Sequence, residues 1–116
     1  MMKKTVMFFA LLAVSGCAAI KIPPASLERN EATIRGAEEV GALGVPAARL
    51  HLQMAKDQTA TAKQLAAEGD ERALLVLARA ESDAELALGM AREAAVRTNA
   101  LKAADDLKTV RARDEQ

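Results

Sequence analysis

The feature that most constrains this chain is a run of small apolar residues spaced alternately four and three apart on both sides of Gly69-Asp70. Upstream it comprises Ala48, Leu52, Ala55, Thr59, Ala62 and Ala66. Downstream it comprises Ala73, Leu77, Ala80, Ala84, Ala87, Ala91, Ala94, Thr98 and Leu101. This spacing is a heptad seam, and its mostly small knobs let two helices approach toward the lower end of the usual spacing of about 8–10 Å. Gly69 fits the residue just past a helix C-terminus and Asp70 the cap of the next helix. The short link folds the two arms back on each other as an αα-hairpin.

The arms are unequal. Pro46 suits the first position of a helix running to about residue 68, although Val45 is a poor cap. The following helix is expected over about 71–112, with Leu74, Leu88 and Ala95 widening its seam. At 1.5 Å per residue these are roughly 34 and 63 Å long. Pairing outward from Gly69 sets residue 46 opposite residue 93, so about 92–116 overhangs the hairpin. The overhang is highly charged but keeps Leu101, Leu107 and Val110. Gly89 lies inside the long helix, where it costs about 1 kcal/mol relative to Ala; a close helix contact there would explain it, and chance is the equal alternative.

A shorter helix precedes the hairpin, expected over about 27–42. Ser26 is its cap, Glu28 lies in its first turn, Glu31–Arg35 forms a supporting pair, and Ile34, Ala37 and Val40 form a weak stripe. Gly36 weakens it, and Gly41 with Gly44 ends it. The expected fold is all-α: an antiparallel helical hairpin with a long second arm plus a shorter preceding helix, coiled-coil-like.

The N-terminus reads differently. Lys3 and Lys4 form a positive start, Thr5 to Val14 an apolar core, and Ser15 and Gly16 a small pair running directly into Cys17, the only cysteine. Such grammar marks an export signal, and the apolar run is too short to span a membrane. Val14-Ser15-Gly16-Cys17 resembles the lipobox of bacterial lipoproteins. The resemblance implies cleavage between Gly16 and Cys17, with diacylglycerol on the thiol and an N-acyl chain on the new amine. Lipidation would account for a lone thiol in an exported protein, and three acyl chains would hold it firmly, since one is marginal and two are stable. Residues 1–16 are then the signal, 17–25 a lipidated cysteine and a linker stiffened by Pro23-Pro24, and 26–116 the helical domain. Ala18 lacks the character of an inner-membrane retention signal, so the expected location is the outer membrane, periplasmic side.

Composition excludes several functions for residues 17–116. Fourteen basic residues face 16 acidic ones, a net charge of −2, which disfavours nucleic acid. Phe8 and Phe9, the only aromatics, both lie in the signal, so the domain has no stacking platform for bases or sugars. Catalysis needs a nucleophile with its base, paired carboxylates in a pocket, or clustered metal ligands. His51 is a single histidine beside the seam, expected at a partly exposed surface. Ser26 and Ser82 offer little, and Arg79–Asp83, like Asp83 and Glu85 around Ala84, reads as a solvated ion-pair face. No enzyme, metal or cofactor is expected beyond the acyl groups on Cys17.

Pro46 opening a helix, Leu52 and Ala55 on its seam, Gly69-Asp70 at the turn, then Ala73, Ala80, Asp83-Ala84, Ala87 and Ala91 together resemble the bacterial lipoprotein family called domain of unknown function 4398. The resemblance covers roughly residues 30–95. It implies an envelope lipoprotein without catalytic residues. Some members carry a following OmpA-like domain that would bind peptidoglycan; residues 1–116 hold no such domain, so peptidoglycan stays a possible partner that no motif here supports. The expected role is a lipid-anchored periplasmic binding or scaffolding protein whose long helix meets an envelope protein. The alternative is a self-associating structural lipoprotein supporting outer membrane and cell-wall organisation, although Arg113-Asp114-Glu115-Gln116 lacks the C-terminal Lys that covalent wall linkage needs.

Overall fold

The computed structural model describes residues 19–115. Gly16, Cys17 and the signal lie outside the described residues. Three α-helices and one short 3₁₀ turn follow in order: α1 (Pro24–Glu39), the 3₁₀ turn (Ala42–Gly44), α2 (Pro46–Ala67) and α3 (Arg72–Asp114). There is no strand among the described residues.

The hairpin follows the seam. All six upstream positions, Ala48 through Ala66, are buried, as are Ala73, Leu77, Ala80, Ala84, Ala87 and Ala91. Most of these are alanines at or near zero exposure. The turn between the arms is a Schellman motif: the Asp70 N–H donates to Leu65 O at 2.9 Å and the Gly69 N–H to Ala66 O at 3.1 Å. Gly69 takes φ +77°, a left-handed conformation that costs a side chain and suits glycine. Asp70 then caps α3 from two residues upstream, its Oδ1 accepting the Arg72 N–H at 2.9 Å.

α1 departs from the expectation drawn for it. It begins at Pro24 and ends at Glu39, about three residues early at each end. Pro24 sits in the first turn, where a missing N–H is no loss and the fixed φ is already helical. Two residues read as linker thus belong to the helix. Ser26 is inside the first turn rather than capping it, and its N–H donates to Pro23 O at 3.0 Å. Glu28 therefore lies beyond the first turn, which holds no acid. Gly41, at φ +98°, breaks the helix. Val40 is exposed, and the buried stripe is Asn30, Ile34 and Ala37.

Asn30 is the residue that sequence patterning missed. It is 1% exposed, and its Nδ2 donates to Thr59 Oγ1 at 2.6 Å, while that hydroxyl donates to Ala55 O at 2.6 Å. A polar pair inside an Ala and Leu layer fixes which residues face each other, much as a single buried Asn sets register in coiled coils. Outside it, Glu31 pairs with Lys63 at 2.7 Å and Glu38 with Lys56. Glu31 thus reaches across to α2 instead of pairing with Arg35 along its own helix. These three links run α1 antiparallel to α2, and so parallel to α3. Gly89 is exposed, and a methyl placed there would meet nothing within 4 Å, so no close helix contact explains it.

Candidate functional site

The described part of the tether lies against the closed end of the hairpin. The Ile20 N–H donates to Ala66 O at 3.0 Å, sharing with the Gly69 N–H a carbonyl that has two lone pairs. Ile20 and Ile22 are half-buried there. The chain therefore enters beside the Gly69 turn, and α3 leaves from the opposite end.

Along α3, burial stops at Ala91, which is 2% exposed; Ala94 and Ala95 are half-buried, and residues 96–115 are all exposed. The expected overhang is present, but Thr98 and Leu101 continue the seam with no partner helix beside them. α3 itself continues unbroken to Asp114. Two shallow notches flank its exit. One is lined by Val45, Ala47, Met90, Ala94 and Arg97, the other by Val40, Gly41, Ala91, Ala95 and Asn99. Beyond them Val96 (67% exposed), Leu101 (64%), Leu107 (59%) and Val110 (51%) stand in water. Six residues separate Leu101 from Leu107, so the two point about 120° apart around the axis. Arg97 pairs with Glu93 at 2.6 Å and Lys108 with Asp105 at 3.3 Å along the helix. Such exposed pairs add about 0.3–0.5 kcal/mol each. Arg111 and Arg113 in the last turn complement the helix dipole.

The other polar cluster bridges α2 and α3. His51 Nδ1 lies 2.7 Å from Asp83 Oδ1, and Gln58 Nε2 donates to Asp83 Oδ2 at 2.9 Å. Asp83 thus serves two residues of α2 instead of Arg79 on its own helix. Sequence spacing could not find this pair, which joins residues 32 apart. The arrangement orients the imidazole and ties the arms together. The nearby Ser82 hydroxyl is exposed and donates to Ala78 O at 3.1 Å. Among the described residues no group of three or more His, Cys, Asp or Glu side chains is placed to hold a metal ion.

Two ion pairs shift the titration of their members. Hydrogen bonds from the Arg72 side chain and backbone hold the Asp70 carboxyl below its ordinary range, and Asp70 in turn raises Arg72. The Lys63 ammonium, by hydrogen bond and by charge, lowers Glu31. No described helix is long and apolar enough to cross a membrane. No family model matches the chain, and neither a curated protein nor a solved structure does.

Proposed function

We propose that this protein is a lipid-anchored, non-catalytic scaffold of the bacterial outer membrane, held through acyl groups on Cys17 and extending its long helix into the periplasm to meet an envelope protein. The resemblance of residues 14–17 to a lipobox and of residues 30–95 to the 4398 lipoprotein family speaks for the address. The observation that carries the role is the opposition of the two ends: Ile20 sits against the closed end of the hairpin, whereas the uncovered part of α3 lies at the other. A 43-residue helix is about 64 Å long, and its final third or more is exposed along its whole length. An anchored chain of this shape holds its bare helix well clear of the bilayer. Lacking aromatic anchors, the contact would rest on Leu, Val and Arg, with the exit notches receiving partner side chains.

In-cell photo-crosslinking tests the role. A reactive side chain at Leu101 or Thr98, facing the direction in which α2 has ended, is expected to give discrete adducts, and one at Arg79 on the hairpin none. Equal labelling at all three positions, or none, removes the adaptor reading. Separately, Cys17→Ser is expected to release the chain from the membrane fraction; unchanged membrane retention would refute the anchor while leaving the helix contact standing.

A further inference from the structure

The overhang carries a second apolar face. Val96, Ala100, Ala103, Leu107 and Val110 again recur four and three apart, and all five are exposed. At about 100° per residue, their stripe lies on the side of α3 opposite the positions that pack on α2. A helix docking there would leave the hairpin contact untouched. The stripe is only as wide as a coiled-coil seam, narrower than the face that a globular helix buries.

We propose that this face pairs in parallel with the same face of a second copy, as a short two-stranded coiled coil over residues 96–110. In that heptad frame Val96, Ala103 and Val110 occupy d, and Ala100 and Leu107 occupy a. The flanking e positions are Arg97, Ala104 and Arg111; the g positions are Asn99, Asp106 and Arg113. In a parallel pair each g residue meets the next e residue of the other strand. Asp106 then meets Arg111 of the second copy, twice by symmetry. Arg97 faces Arg92 of the second copy, but is already neutralised by Glu93 of its own helix at 2.6 Å. An antiparallel pair sets e against e and g against g: Arg97, Ala104 and Arg111 offer no attraction, and in register Asp106 meets Asn99 or a second Asp106 rather than a cation. Charge therefore selects the parallel sense as well as the partner.

Association also starts from a formed helix. The overhang is continuous with the part of α3 held by α2, so pairing does not have to nucleate helix from coil. Two heptads with two alanines make a weak seam, and pairing is expected only at high local concentration. Two chains tethered at one membrane would meet in the parallel sense, and tethering raises effective concentration. The pairing itself does not depend on the anchor or on the envelope partner proposed above.

Disulfide trapping of the purified full chain in detergent micelles tests it. One cysteine is added at Val96, Val110 or Thr98, and the parent chain, whose only cysteine is Cys17, serves as the blank. Val96→Cys and Val110→Cys are each expected to form reducible dimers about tenfold faster than Thr98→Cys or the parent, because d residues face their counterparts in a parallel pair. A mixture of the two should give no mixed dimer above the blank, since a parallel register separates residues 96 and 110 by about 21 Å. Adding Leu107→Asp to Val96→Cys should return trapping to the Thr98→Cys level with the helical signal retained. Preferential Val96–Val110 dimers, equal trapping at Thr98, or no trapping above the blank would each overturn the proposal.

Discussion

Replacing Ala84 with Leu tests how closely the helices approach. Ala84 has no exposed surface and belongs to one buried cluster with Ile34 and Ala37 of α1 and Leu52 and Ala55 of α2. It therefore lies under both neighbouring helices. An isobutyl group in place of this fully buried methyl is expected to press α1 or α2 outward. Overpacking of this kind costs about 1–3 kcal/mol. For a domain of this size each kcal/mol lowers Tm by about 4–8 °C, so a fall of roughly 4–24 °C is expected. The control is Ala104→Leu, the same change at an exposed position of the same helix. Ala and Leu have similar helix propensities, so its effect should stay within about 0.5 kcal/mol. Thermal and urea unfolding followed by far-ultraviolet circular dichroism read both variants. Equal stability of the two, or a gain at residue 84, would refute the alanine-limited packing of the three helices.

Two further changes probe the turn. Gly69→Ala forces a side chain into φ +77° and is expected to cost about 1–2 kcal/mol, read as a lower urea midpoint; an unchanged midpoint would mean that the turn relaxes freely. Asp70 titrates below its ordinary value because Arg72 hydrogen-bonds the carboxylate. Its contribution is complete above the unfolded carboxylate range and is lost as pH falls through the lowered native value. Asp70→Ala should therefore lower Tm at neutral pH and shrink the acid-side decline of Tm between neutrality and strong acid; parallel Tm–pH curves for the two proteins would contradict the cap.

The hairpin was legible because its information is periodic. Every buried residue of α2 falls on the four-and-three rhythm, and so does every buried residue of α3 through Ala91. The end of burial was legible too, since it follows from two unequal arms measured from one turn. Features that depend on another helix were not. Asn30 looks like an ordinary surface amide until Thr59 is set opposite it, and His51 looks solitary until α3 brings Asp83 alongside. Local spacing suggested Glu31–Arg35 and Arg79–Asp83, but tertiary neighbours supplied Lys63 and His51 instead. The start of α1 was misread because Pro23-Pro24 signals both a stiff linker and a helix start, and only the second describes Pro24. Of the candidate site, the overhang could be located from arm lengths; the docking of Ile20 on Ala66 left no local mark in the sequence.

That docking fixes how the molecule would carry tension. The chain enters beside the Gly69 turn, α1 runs parallel to α3, and α3 leaves from the far end. A pull on residue 19 opposed by a pull on residue 115 acts along the helix axes. It slides α1 past α3 lengthwise, so the contacts along their shared length resist together instead of opening one at a time from an end. A pull between the tether and the Gly69 turn would instead strain only the Ile20–Ala66 hydrogen bond and its immediate surroundings. The same three helices are thus stiff along their length and yielding at their base.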